Sequence, residues 1–204
     1  MANSLLMTRF LPSKNRLRPV IKTSLGFYSV LIVLASVIFF IQEENSHQML
    51  FISDVQQLLL VFVSGFGAAI VVVFLCRLLE QHVVWASHLI HDLRNVLGDL
   101  NRKETIYLAI ASGLAEELLF RGVLQPAVGI WLASAIFSCV HIGPNRSWNV
   151  WPVMAFFAGL LFGFLFQWTG ALVTPIIAHV TINYLNMRSF AKNTPRHFQP
   201  LEGF

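Results

Sequence analysis

Apolar residues run through this chain in blocks longer than a soluble core needs, and short polar stretches punctuate the blocks. The blocks cover residues 25–41, 57–79, 104–125, 127–142, 150–168 and 171–190, each comparable to the roughly 20 residues of a membrane-crossing helix. Residues 80–103 differ. There Leu89, Ile90, Leu93, Val96, Leu97 and Leu100 recur at helical spacing with polar residues between them, which predicts an amphipathic helix lying in the interface. The expected fold is an all-α, polytopic integral membrane bundle of about six transmembrane helices plus one interfacial helix. Pro126 is expected to end the third span, Gly143-Pro144 to end the fourth, and Pro175 to kink the sixth.

Three segments follow from this pattern. Residues 1–103 form a basic N-terminal tail, two spans and the interfacial helix; residues 104–190 form a four-helix core; residues 191–204 form a tail. Composition agrees: 56% of residues are hydrophobic and 12% charged, which excludes an ordinary soluble domain. The net charge of +4 does not point to nucleic acid, because the basic residues sit at span ends and in loops rather than along one face. All of them except Arg121 fall on one side of a six-span topology, so both termini are expected in the cytoplasm and the protein in the cell membrane. Cys76 and Cys139 lie within apolar runs and imply no disulfide framework. Small residues around Gly65 and Gly67, and the Ala155, Gly159, Gly163 stripe, read as helix-packing surfaces. His88, His91 and Asp92 have metal-ligand spacing on the interfacial helix, but a solvated polar face accounts for them.

Ionisable groups inside the spans are the exception that calls for chemistry. Glu116, Glu117 and Arg121 lie in the third span, His141 at the end of the fourth, and His179 and Asn183 in the sixth. A charge at bilayer depth costs roughly 2.5–3.5 kcal/mol even on insertion scales, so such groups face protein and find partners. Glu117 and Arg121, four apart, share a helix face and are expected to pair, leaving Glu116 about 100° round to point elsewhere. A rise of about 1.5 Å per residue places Glu116, His141, His179 and Asn183 between mid-membrane and the cytoplasmic half, where they would line one cavity. Such a set suits hydrolysis, with a base for water, a partner to position it and donors for an oxyanion. Glu116, His141 and His179 are equally a three-ligand set for zinc. Interhelical hydrogen bonding is the structural reading, and a proton- or ion-coupled transporter the rival functional one; no inverted repeat or matching pair of broken helices supports a transporter.

Glu116-Glu117-x-x-x-Arg121, Phe137-x-x-x-His141 and His179-x-x-x-Asn183, in that order on successive helices, resemble the three motifs of the CAAX prenyl endopeptidase-like family of intramembrane proteases, also called CPBP or Abi. The resemblance covers about residues 104–186. It implies an intramembrane endopeptidase acting on a membrane-embedded or lipidated protein or peptide, with the bilayer as its other partner. Glu116 and His141 would activate water, His179 and Asn183 would stabilise the oxyanion, and Glu117, Arg121 and Phe137 would support them. A non-catalytic scaffold or immunity protein is the remaining alternative. The family is described both as metalloprotease and as glutamate protease, which leaves the cofactor open. A metal-bound imidazole normally has its second nitrogen held by a carboxylate or carbonyl. With Glu117 committed to Arg121 the spans offer few such groups, so no cofactor is favoured and zinc is the alternative.

Overall fold

The computed structural model describes residues 17–42, 52–143 and 149–190. Most of the basic N-terminal tail, most of the 42–54 loop, Pro144 with Arg146, and the basic tail from residue 191 lie outside the described residues. The elements are α1 (Pro19–Gln42), α2 (Val55–His82), α3 (Val84–Leu97), α4 (Arg102–Glu117), a π-helical turn (Leu118–Leu124), α5 (Gln125–Cys139), α6 (Trp151–Thr169) and α7 (Val173–Phe190). The protein is an all-helical membrane bundle. Pro19–Ile41, Val55–His82, Arg102–Cys139 and Trp151–Thr169 are long and apolar enough to cross a bilayer. The outward faces of α1 and α2 leave Phe27, Val30, Val33, Phe62, Ile70 and Phe74 exposed, as a lipid-facing surface requires.

Register between helices is set at a few close contacts. Asn101 and Glu104 form a reciprocal capping box at the start of α4, and the second oxygen of Glu104 accepts from the Arg18 backbone and Nε at 3.3 Å each. This joins the starts of α1 and α4, which therefore run parallel. Phe39 lies against Gly122 at the other end. Gly113 approaches α7 so closely that an added Cβ would lie 2.6 Å from a Val180 methyl carbon, and Gly65 meets Thr174 and Ile177 on α7 in the same way. Gly67 meets nothing within 4 Å, whereas its neighbour Ala69 is fully buried in the core with Ala68 packed beside it. The amphipathic helix is present as α3, shorter than residues 80–103, with Ala86 and Leu89 buried; Glu80 belongs to α2 and pairs with Arg77 at 3.2 Å.

Two expectations about proline are corrected. The third span does not stop at Pro126. A π-helical turn precedes it, with the Gln125 N–H reaching back five residues to Phe120 O, and this wider winding accommodates a ring that lacks an N–H and crowds the preceding turn. The chain reverses instead at Gly129, whose φ of 80° and ψ of 165° suit only a residue without Cβ. Nor does Pro175 kink the last helix. It lies in the first turn of α7, where a missing N–H costs nothing, and the carbonyl of Ala171 accepts from Thr174 N at 3.2 Å.

The Gly129 reversal has a consequence for depth. Past it, α5 retains about ten helical residues, Ile130–Cys139, or about 15 Å, half of a hydrocarbon core about 30 Å thick. Arg121 Nη2 donates to Gly159 O at 2.9 Å and Gln125 Nε2 to Gly163 O at 3.1 Å, both 38 residues apart, so α6 runs parallel to α4. On that offset Trp151 is level with Gly113, about 16 Å above Arg102. The hairpin of α5 and α6 thus carries His141 back only to the level of Glu116.

Candidate active site

The site is built where α4 passes into the π turn. Glu117 is fully buried, and its Oε1 accepts from Arg121 Nη1 at 3.0 Å and faces His179 Nδ1 at 2.7 Å. Arg121, 2% exposed, completes its bonding on the Gly159 carbonyl and lies among three phenylalanine rings, 4.8 Å from the centroid of Phe137, 5.3 Å from Phe162 and 5.8 Å from Phe120. The expected pairing of Glu117 with Arg121 is therefore present, and Glu117 has a second duty toward His179. The guanidinium is suited to this place because it is planar, always charged and attracted by aromatic faces.

Glu116, one residue earlier, is held differently. Its Oε2 is buried and, like Glu117 Oε2, has no hydrogen-bond partner among the described residues; it stands 3.8 Å from His141 Nε2 and 3.9 Å from His179 Nε2. Its Oε1 accepts from the Tyr28 hydroxyl at 3.3 Å. Side-chain exposures of 12% for Glu116, 19% for His141 and 7% for His179 make this the more open half of the site. Both imidazoles are oriented through Nδ1. His179 uses Glu117, and His141 donates to the Phe137 carbonyl at 2.6 Å, a bond that assigns the proton to Nδ1 because a carbonyl only accepts. Each ring therefore turns Nε2 toward Glu116. The ring of Phe137 packs against His141 at 4.5 Å and against Phe120 at 4.9 Å, so this residue positions His141 with both its backbone and its side chain.

Glu116, His141 and His179 thus converge as the spacing of the motifs predicts. Asn183 stands apart from that group: one turn below His179, it donates Nδ2 to Ser112 Oγ at 2.9 Å. Reasoning from sequence missed four residues. Phe162 stacks on His179 with ring centroids 4.8 Å apart and planes 16° from parallel, and Trp151 lies 6.0 Å from the His141 ring; apolar residues in apolar spans give no signal for either role. Ser112, four before Glu116, and Tyr28, a phenol deep in an apolar run, carried a signal in their polarity.

Zinc was disfavoured above because the second nitrogens of the imidazoles lacked partners, and that premise is overturned. Both have one, a carboxylate for His179 and a carbonyl for His141, as metal-bound imidazoles do. The separations are somewhat wider than a zinc ion held by Glu116, His141 and His179 would draw them. A tetrahedral zinc with bonds of about 2.0–2.1 Å sets its donors about 3.4 Å apart, against 3.8 and 3.9 Å here, and among the described residues no three His, Cys, Asp or Glu side chains are grouped to hold a metal ion. His88, His91 and Asp92 form no such group either; His91 instead meets Asn95 at 3.2 Å. Cys76 and Cys139 are free thiols.

Residues 103–185 match the family model described as Rce1-like, type II CAAX prenyl endopeptidase Rce1-like. A protein of Bacillus subtilis (strain 168) described as the uncharacterized protein YpbD is 32% identical over 126 residues, covering 58% of this chain and 64% of that protein. The chain therefore spans a little less than two thirds of the length of this relative. No solved structure matches.

Proposed function

Because residues 103–185 match the Rce1-like, type II CAAX prenyl endopeptidase family model, we propose that the chain hydrolyses a peptide bond of a membrane-embedded or lipidated protein or peptide within the bilayer. The observation that carries this reading is the unpartnered Glu116 Oε2 facing the Nε2 atoms of His141 and His179. Separations of 3.8 and 3.9 Å are too long for direct hydrogen bonds and suit one oxygen atom held between the groups at about 2.7–3.0 Å.

In the proposed reaction a water occupies that position. Glu116 removes its proton while His141 Nε2 accepts its second hydrogen and aligns it, and the water oxygen adds to the substrate carbonyl carbon. The resulting oxyanion is met by His179 Nε2–H and by the amide hydrogen of Asn183 that Ser112 does not use. Donation from Nε2 requires a protonated His179, and the site balances that charge: Arg121 offsets Glu117, and the imidazolium offsets ionised Glu116. When the tetrahedral adduct collapses, the C–N bond breaks and Glu116 returns its proton to the leaving amine. No step uses a metal. In this reading the termini lie on the cytoplasmic side, as the distribution of basic residues leads us to expect, and the substrate enters from the same half of the membrane.

The test is hydrolysis of an internally quenched peptide with a C-terminal prenylated cysteine tripeptide by the full chain in lipid nanodiscs, before and after exhaustive chelation. Full activity after chelation is expected. Activity lost with stoichiometric zinc and restored by its return would replace this mechanism with a metal-dependent one, and a wild-type chain inert toward lipidated and unlipidated membrane peptides alike would contradict the protease reading.

A further inference from the structure

The segment that matches the family model begins at residue 103, yet one group that touches the site comes from far outside it. We propose that Tyr28 of α1 is a positioning residue that fixes the rotamer of Glu116. The inference rests on the protease reading for its activity arm and on geometry alone for the rest. Tyr28 Oη donates to Glu116 Oε1 at 3.3 Å. That bond occupies one carboxylate oxygen and turns the other, Oε2, toward His141 and His179. Without it the Glu116 side chain, which has three rotatable bonds and no other hydrogen bond between the described residues, is free to swing away from the two rings. A length of 3.3 Å is long for an O–H···O bond, and catalytic bonds of this kind tighten when substrate closes the site.

The placement of Tyr28 is imposed from both ends of α1. Arg18 is bound to Glu104 at one end and Phe39 lies on Gly122 at the other, so α1 is fixed in register along α4. Tyr28 is then about 15 Å above Arg18 and Glu116 about 18 Å above Glu104, at nearly the same depth. Membrane tyrosines are ordinarily found at the interface, where the hydroxyl meets water. A phenol this deep needs a protein partner, and Glu116 supplies it. If the pairing only satisfied the phenol, its removal would leave turnover unchanged; if Tyr28 positions Glu116, kcat falls as the carboxyl group changes.

Tyr28→Phe removes the hydroxyl and keeps the ring that packs on Phe27 at 5.5 Å. In the full chain reconstituted in lipid nanodiscs at one fixed pH, the carboxyl infrared bands of Glu116 are identified as those that Glu116→Gln removes. Tyr28→Phe is expected to shift and broaden those bands, and Phe27→Leu, on the same helix, to leave them in place. With the prenylated quenched peptide, kcat of Tyr28→Phe is expected to fall about tenfold with KM within about twofold, at unchanged thermal stability, the effect of one hydrogen bond used in the transition state. Unshifted Glu116 bands, or wild-type kcat, in Tyr28→Phe would overturn the proposal. The infrared arm needs no turnover, so shifted bands in a chain that cleaves nothing would retain the Tyr28 contact and reject the protease reading.

Discussion

Glu116 and Glu117 are neighbours in the sequence and opposites in the structure. Glu117 is fully buried and shared between Arg121 and His179 at 3.0 and 2.7 Å. Glu116 has only one long bond, to Tyr28, and its second oxygen, which like that of Glu117 has no partner among the described residues, stands 3.8 and 3.9 Å from two imidazoles. One half of the site is closed, its charges compensated and enclosed by Phe120, Phe137 and Phe162; the other is open and its groups stand apart. The difference separates two jobs that three motifs otherwise blend. A buried carboxylate paired through one oxygen to a guanidinium and an imidazole holds helices in register, because breaking those pairs exposes uncompensated charge. A weakly held carboxylate in the more open half, facing two oriented imidazoles, is the group to which the proposed reaction assigns the base. Substitutions on the two sides should therefore fail in different ways.

The largest effect is expected on the closed side. Glu117→Ala leaves the Arg121 guanidinium and the His179 ring without their shared acceptor, at a cost of about 3–5 kcal/mol, a large share of the roughly 5–15 kcal/mol that holds a typical protein folded. Membrane abundance and thermal unfolding in detergent should show it, and a well-expressed, stable Glu117→Ala would mean that the network does not hold the bundle together. Arg121→Ala should be milder, because Glu117 keeps His179. A smaller effect is expected where the two halves are aligned. Gly113→Ala places a Cβ 2.6 Å from a Val180 methyl carbon and 3.1 Å from Val180 N, which pushes α7 from α4 at a cost of about 1–3 kcal/mol and widens the gap between His179 and Glu116. Activity should fall further than stability; a stability loss with kcat intact would mean that the register of α7 is not what sets the site.

Much of this architecture was legible because bilayer chemistry leaves few options. Apolar runs announced the bundle, and charges inside them singled out Glu116, Glu117, Arg121, His141 and His179, which the structure brings together with Glu117 paired to Arg121 as expected. What stayed hidden depended on three-dimensional register. The motif from Glu116 to Arg121 enters a π turn, and Pro126, read as a helix end, is what that turn accommodates. Gly129 looked like any glycine in a membrane helix, and only its φ of 80° shows that the chain reverses there and carries His141 back to the depth of Glu116. The second partner of Glu117 was invisible because a carboxylate paired at i, i+4 reads as already committed, although its oxygens accept several bonds. Tyr28 was overlooked because it belongs to a helix that no motif marks.

The most direct test of the account is a side-by-side measurement of Glu116→Gln and Glu117→Gln, each purified in lipid nanodiscs and scored both for hydrolysis of the prenylated quenched peptide and for thermal unfolding. Both changes keep the side-chain shape and remove the charge. The account predicts that Glu116→Gln unfolds at the wild-type temperature and loses at least about 100-fold in kcat, the scale of a general base, whereas Glu117→Gln unfolds at a lower temperature. Wild-type turnover by a stably folded Glu116→Gln would contradict it.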